Sequence, residues 1–191
     1  MSVSERFTNP DAQRRLPVTG GASDALPTGD IGRVVIGIGG LTVRRGTAGH
    51  IVTHALGSCL GVTVWDPLQK IGGMLHAQLP IAQLNPDRAK THPALFVDLV
   101  IPMLIDAALK MGAEKRRLRI AVAGGANMTA SAANDLFNIA TRNITSLRKV
   151  CWRDSLLITA EDTGGAQPRT MTLFFNDGST TIESQGARRI L

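Results

Sequence analysis

The order of the predicted elements in this sequence indicates an α+β fold. Short β-branched strands come first, and later strands are mixed with two helices, which differs from the regular strand–helix alternation of a parallel βαβ series. The 191 residues, of which 43% are hydrophobic, are enough to build one compact domain with its own core. We therefore expect one α+β domain, preceded by an N-terminal tail.

The N-terminal residues have the composition of a flexible tail. They contain three prolines and the pair Gly20-Gly21, and they show little periodic apolar content. After this stretch the sequence becomes apolar and rich in β-branched residues. We expect a flexible tail over residues 1–30 and the folded domain over residues 31–191.

Four extended segments are predicted before the first long helix, because apolar and β-branched residues are bounded there by turn residues. The first segment has a turn at Gly39-Gly40, and Asp66-Pro67 supplies a turn between the third and the fourth. The segments cover residues 33–43, 50–55, 61–65 and 70–79.

Two helices are predicted in the second half of the chain. The first begins at Pro93, after a polar loop over residues 81–92, because proline is favoured at the first helical position and apolar residues then recur at helical spacing. Pro102 is expected to kink or split this helix, and Met111-Gly112 ends it. The second helix covers residues 138–152, and further strands are predicted over residues 119–123, 156–160, 170–175 and 180–183.

The composition excludes several classes of protein. No apolar stretch reaches the roughly 18 residues of a membrane helix, two cysteines cannot form a disulfide framework, and the N-terminus lacks the apolar core of a secretion signal. The net charge of +6 raises a nucleic-acid-binding alternative, but basic residues are dense only at 115–119 and aromatic stacking residues are scarce. We expect a cytoplasmic protein without membrane insertion and without a nucleic-acid partner.

One segment carries residues suited to nucleophilic chemistry. Cys59 lies between Gly57 and Gly61. Glycines here leave the sulfur uncovered and allow backbone N–H groups to face a developing oxyanion. His76 follows across a predicted hairpin, so antiparallel pairing can bring it near Cys59 and favour a thiolate–imidazolium pair. Thr53 precedes the cysteine and is placed to orient the imidazole. A structural alternative stays open, because buried free cysteines and packing histidines are common in cores.

Four other features have more modest interpretations. His54 is expected in packing or at the surface, because alternation along a strand turns it away from the candidate site. Cys151 lies on the apolar face of a predicted helix and is expected in the core. Gly124-Gly125 is interpreted as a backbone turn near the site, and Asp162 as a turn-forming residue.

Several motifs in the chain resemble those of one known family. The segment around Cys59 reads ALGSCLGVTVWDP and is followed by IGGMLHAQLP, which together resemble the signature of the CheD family, the chemoreceptor glutamine deamidases of bacterial chemotaxis. The motifs VVIGIGGLTV, AGGANM, NIATRN and AEDTGG, with Arg169 after the last, agree with the same family in the same order. The resemblance extends over residues 33–175, which is most of the expected domain.

This resemblance implies a reaction and roles for three residues. It implies that Cys59 is the nucleophile, that His76 is the general acid and base, and that Thr53 orients His76. The implied substrates are glutamine side chains of methyl-accepting chemotaxis receptors, with methylesterase activity as a second reaction and with no metal or cofactor. The implied fold is a β-sandwich of mixed sheets flanked by helices, similar to the deamidase domain of cytotoxic necrotizing factor toxins.

The resemblance also allows an alternative function, and the sequence differs from the family motifs at some positions. CheD-like proteins act as partners of CheC-type phosphatases, so an adaptor or regulator with catalysis as a secondary role is the alternative. Leu75 and Ala77 stand where family members often have asparagine before the histidine and an aromatic residue after it, and Thr91-His92 replaces a common aromatic–glycine pair. These departures concern substrate preference and the rim of the site rather than the proposed catalytic groups.

Overall fold

The computed structural model describes residues 29–128 and 138–191. Within these two segments the chain forms ten strands and three α-helices. The strands are β1 (Asp30–Ile36), β2 (Leu41–Arg45), β3 (Ala48–Leu56), β4 (Leu60–Asp66), β5 (Ile71–Ala77), β6 (Arg119–Gly124), β7 (Ile158–Thr163), β8 (Arg169–Phe174), β9 (Thr180–Ser184) and β10 (Ala187–Ile190). The helices are α1 (Pro86–Thr91), α2 (Val97–Lys110) and α3 (Ile139–Arg153).

The strands form two five-stranded mixed sheets. The first sheet has the order β1-β3-β8-β9-β10, and the second has the order β2-β5-β4-β6-β7. Strand β1 runs parallel to β3 and β6 runs parallel to β7, whereas the other neighbours are antiparallel. The predicted α+β sandwich of mixed sheets is therefore confirmed, whereas the likeness to the toxin deamidase domain stays a prediction.

Two apolar layers hold these elements together. One layer lies between the two sheets and the other lies between the second sheet and helices α2 and α3. The central strands β4 and β5 are buried along their whole length. Because both faces of β4 are covered, it alternates between side chains that face the helices, such as Val62, and side chains that face the first sheet, such as Trp65.

Most predicted elements appear close to their expected bounds, and four differ. The segment expected over residues 33–43 forms two strands, β1 and β2, which lie in different sheets. The expected loop over residues 81–92 contains the short helix α1, and β10 was not predicted. Pro93 begins a short 3₁₀ helix (Pro93–Leu95), and α2 itself begins at Val97, because Phe96 between them is extended and forms a bridge with Leu79. Pro102 lies inside α2 without splitting it. A tertiary contact therefore sets the start of the helix where local proline chemistry favoured an earlier one.

Residues 1–28 of the expected tail lie outside the described residues, and Asp30, the last residue of that expected tail, begins β1. No helix in the described segments has the length and apolar character needed to cross a membrane.

A buried carboxylate anchors the hairpin that carries the candidate site. Asp66 at the end of β4 is fully buried and accepts hydrogen bonds from the amides of Leu68, Gln69 and Glu114. The Arg117 guanidinium donates to both of its carboxylate oxygens. Burial alone acts to raise the pKa of Asp66, but the hydrogen bonds, led by those from Arg117, outweigh it and lower the pKa.

Asp66→Asn is expected to reduce the free energy of unfolding by about 2 kcal/mol at neutral pH, because Arg117 and the buried amides lose a charged acceptor. Since the folded-state pKa of Asp66 is lowered, its stabilisation is present above the unfolded value of about 3.9 and is lost as the pH falls through the folded value. Urea unfolding at several pH values measures this. Asp87→Asn, at an exposed pair with Lys90, is the control and should change little. Equal effects of the two variants would contradict the prediction.

Candidate active site

The candidate nucleophile lies on a tight loop between β3 and β4. Cys59 is 8% exposed, and its carbonyl accepts a hydrogen bond of 2.8 Å from the amide of Gly125. The carbonyl of Gly57 accepts one of 2.8 Å from the amide of Ala126. Gly124 has φ +110°, and a Cβ there would lie 2.1 Å from the Cys59 carbonyl oxygen. Gly124-Gly125 lies near the site as expected, but Gly124 is the last residue of β6 rather than part of a turn.

The strand register brings His76 to the same end of the sandwich. Gly61 in β4 pairs with His76 in β5, and Cys59 lies two residues before Gly61. Cys59 directly precedes β4, so this register brings the nucleophile loop and His76 to the same end of the β4–β5 pair. Both side chains belong to the layer between the sheets, where Cys59 packs in one apolar cluster with Met171.

The first sheet supplies the third residue. Thr53 in β3 is fully buried, and its Oγ1 lies 2.7 Å from Nδ1 of His76 and 3.0 Å from the carbonyl oxygen of Ile36. A hydroxyl has one hydrogen, and the Ile36 carbonyl can only accept. We therefore assign the Thr53 hydroxyl as donor to Ile36, with Nδ1–H of His76 donating to Oγ1. Nε2 of His76 then carries the lone pair.

Burial keeps both candidate catalytic groups neutral at rest. Burial lowers the pKa of His76 from 6.5 to about 4. Burial also raises the pKa of the Cys59 thiol, and the residue's own backbone N–H lowers it by less. Nε2 of His76 is buried and has no hydrogen-bond partner among the described residues. The thiolate–imidazolium pair expected from the sequence is thus not the resting state, because a water-poor site penalises both charges.

Comparisons with known proteins agree with the sequence motifs. A family model described as CheD chemotactic sensory transduction matches residues 78–184. A relative from Syntrophus aciditrophicus, named a probable chemoreceptor glutamine deamidase CheD 1, is 38% identical over 156 residues, which is 82% of this chain and 96% of that protein. The chain belongs to the CheD family.

Further relatives extend over similar lengths. A probable chemoreceptor glutamine deamidase CheD from Solibacter usitatus is 35% identical over 159 residues, covering 83% of this chain and 93% of the relative. A relative of the same name from Pyrococcus abyssi is 38% identical over 149 residues, which cover 78% of this chain and 90% of that protein. The match to the CheD family model begins at Gln78, just after His76, so the roles of the three candidate residues rest on geometry and on the motif resemblance.

In this member of the CheD family, a buried asparagine also contacts the site, and its role was not predicted. Asn143 on α3 is fully buried, and its Nδ2 donates to the carbonyl oxygens of Ser58 at 2.9 Å and Gln78 at 3.0 Å. The sequence signal was the NIATRN motif, which the resemblance treated only as the start of a helix. Asn143 is the last residue of this motif, and its contacts depend on how α3 packs on the sheet, which local sequence does not reveal.

Asp162 has a different role from the one expected from the sequence. The prediction that it forms a turn is wrong, because it lies within β7, and its carboxylate pairs with Arg169 at 3.2 Å and Arg189 at 2.5 Å. Arg169 in turn donates to the carbonyl of Gly164 at 2.6 Å, and the amide of Gly164 donates to the carbonyl of Gly124. The pair between Asp162 and Arg169 therefore supports the end of β6, whose next residue, Gly125, donates to the Cys59 carbonyl.

His54 and Cys151 lie where the sequence analysis placed them. His54 is exposed and lies 3.2 Å from the hydroxyl of Thr170, away from the site. Cys151 is buried in the layer between helices and sheet, and burial, aided by Asp154 and Glu161, raises its pKa to about 11. Among the described residues, no group of three or more His, Cys, Asp or Glu side chains is placed to hold a metal ion.

Proposed function

We propose that this protein hydrolyses glutamine side chains of methyl-accepting chemotaxis receptors to glutamate, with Cys59 as the nucleophile. The observation that carries the proposal is the 2.7 Å contact between Thr53 and Nδ1 of His76, which leaves Nε2 as a base in the layer between the sheets that also holds Cys59. The relatives, named probable chemoreceptor glutamine deamidases, support the same reaction. We place the protein in the cytoplasm, with residues 31–191 as the acting domain and residues 1–30 as a tail.

The first step joins the sulfur to the substrate. His76 Nε2 takes the proton of the Cys59 thiol as the sulfur attacks the carboxamide carbon, and the carbonyl electron pair moves onto oxygen. Because the pKa of the thiol is raised, attack requires this base rather than a preformed thiolate. Thr53 holds the Nδ1–H end of the ring, so the ring keeps the tautomer that can accept the proton.

The next steps release ammonia and then glutamate. The tetrahedral intermediate collapses, the carbon–nitrogen bond breaks, and the proton on His76 Nε2 goes to the departing nitrogen, which leaves as ammonia. His76 then takes a proton from water, whose oxygen attacks the thioester carbon. The carbon–sulfur bond breaks and the thiol of Cys59 regains its proton. One water is consumed for each glutamine converted to glutamate and ammonia.

Two further assignments follow from the same site and the resemblance. A glutamate methyl ester presents the same carbonyl with methanol as its leaving group, so methylesterase activity is the proposed second reaction. A CheC-type phosphatase is the proposed second protein partner, on the resemblance to the family alone. The methylesterase reaction uses Cys59 and His76 in the same roles.

Mass spectrometry of a receptor cytoplasmic fragment tests the proposed function. Incubation with wild type is expected to convert particular glutamines to glutamate, and Cys59→Ala is expected to convert none. Cys151→Ala is the matched control, because it removes the other buried cysteine and should retain conversion. Equal and negligible conversion by wild type and Cys59→Ala would overturn the enzyme and favour the adaptor alternative. Loss of conversion in Cys151→Ala alone would contradict the assignment of the nucleophile.

A further inference from the structure

One amide group links the two strand ends that carry Cys59 and His76. Asn143 donates through Nδ2 to the carbonyl of Ser58, the residue before Cys59, and to the carbonyl of Gln78, two residues after His76. Both partners are acceptors, so the nitrogen of the side chain must face them. The two hydrogens of a single NH₂ group therefore set the spacing between the nucleophile loop and the end of β5.

The bond to Ser58 orients the peptide unit in front of the nucleophile. A trans peptide is planar, and its C=O and N–H point in opposite directions. No cis peptide occurs among the described residues. Since the Ser58 carbonyl points toward Asn143, the N–H of Cys59 points away from Asn143.

The N–H of Cys59 is available for a substrate. Within residues 29–128 and 138–191, no hydrogen bond joins it to an acceptor on another residue, whereas the neighbouring carbonyls of Gly57 and Cys59 are both occupied. The N–H and the sulfur belong to the same residue, so covalent connectivity keeps them close to each other. A donor beside the attacking sulfur lies next to the carbon that the sulfur attacks.

We propose that Asn143 is a positioning residue that aims the Cys59 N–H at the oxyanion formed during attack. The inference rests on the proposed deamidase function and adds the group that stabilises the developing negative charge. As the carbon–sulfur bond forms, the carboxamide oxygen gains the electron pair of the broken π bond, and a preoriented N–H stabilises it. Asn143 itself touches neither sulfur nor substrate and acts through the peptide plane.

The amide of Asn143 is held through its donor end. Its Oδ1 is buried without a hydrogen-bond partner among the described residues. The described hydrogen bonds of this side chain are therefore those to the Ser58 and Gln78 carbonyls, beside the nucleophile loop and the end of β5.

Kinetics of Asn143→Asp and Asn143→Ala test the inference. Asp retains the shape and has no donor when ionised, and Ala removes both donors at every pH and serves if the Asp variant fails to fold. Ser146→Ala is the matched control, because Ser146 is buried on the same helix and donates at 2.6 Å to the carbonyl of Pro80, outside the Cys59 peptide. We expect kcat for glutamine conversion to fall about a hundredfold in the Asn143 variants, with KM changed by less than about threefold, and to be retained in Ser146→Ala.

A second readout separates orientation of the amide from general loosening of the loop. Iodoacetamide alkylates a thiol by displacement at a saturated carbon, so no oxyanion forms. The rate of Cys59 alkylation in folded Asn143 variants is therefore expected to stay within about threefold of wild type while kcat falls. A parallel loss of alkylation and kcat, an unchanged kcat, or an equal loss of kcat in Ser146→Ala would each overturn the inference. If wild type converts no glutamine, the proposed function fails first, and the inference fails with it.

Discussion

His76→Ala is expected to lower kcat for glutamine conversion about a thousandfold, because loss of a general base typically costs a hundredfold to ten-thousandfold. The thiol of Cys59 has a raised pKa, so little thiolate exists at neutral pH to replace the missing base. The rate is measured by mass spectrometry of a receptor fragment. His54→Ala is the control, since His54 is exposed and hydrogen-bonds to Thr170 instead. Similar losses in the two variants would show that His76 has no special role.

The pH dependence of wild type provides an independent measurement of the same group. His76 acts as a base only when neutral, and its pKa is lowered to about 4. The protonation of His76 is therefore expected to leave kcat/KM, which reports the free enzyme, flat from about pH 8 to about pH 5 and to reduce it only near pH 4. A fall in kcat/KM centred near pH 6.5 would contradict the burial of this imidazole and would indicate a solvated histidine.

Thr53→Val is expected to lower kcat about a hundredfold, because it retains the shape of the side chain and removes the oxygen that accepts Nδ1–H. The ring can then adopt the other tautomer, which places a hydrogen on Nε2 and removes the base. Thr53→Ser keeps the hydroxyl and should recover most of the activity. Steady-state kinetics on the receptor fragment measure both variants.

Thr63→Val is the matched control for that experiment. Thr63 is a buried strand threonine whose hydroxyl lies 3.1 Å from that of Thr180, so its replacement also removes a buried hydrogen bond. It lies four residues beyond Cys59 along β4. Its kcat should be close to wild type even if its melting temperature falls. Equal losses of kcat for Thr53→Val and Thr63→Val would show that stability, not the tautomer, explains the effect.

The part of the fold that can be predicted from the sequence is the part with clear hydrophobic patterning. The strands that became β3 to β6 and the helix that became α3 follow from runs of β-branched residues and from helical apolar spacing. Strand β10 has no such signal, because all four of its residues are exposed and it exists through pairing with β9. The start of α2 depends on the bridge between Leu79 and Phe96, which joins residues far apart in the chain.

The candidate site divides in the same way. The residue types, the glycines around Cys59 and the order of the motifs are readable from the sequence, and they determined the family and the three candidate residues. Only the tertiary structure decided that Thr53 reaches Nδ1 of His76 and that Asn143 holds the Ser58 carbonyl. The tertiary structure also determines the protonation states of Cys59 and His76, because a pKa depends on how much water the packed sheets exclude. Sequence spacing favoured an ion pair, and burial between the sheets replaced it with a neutral thiol and a neutral imidazole.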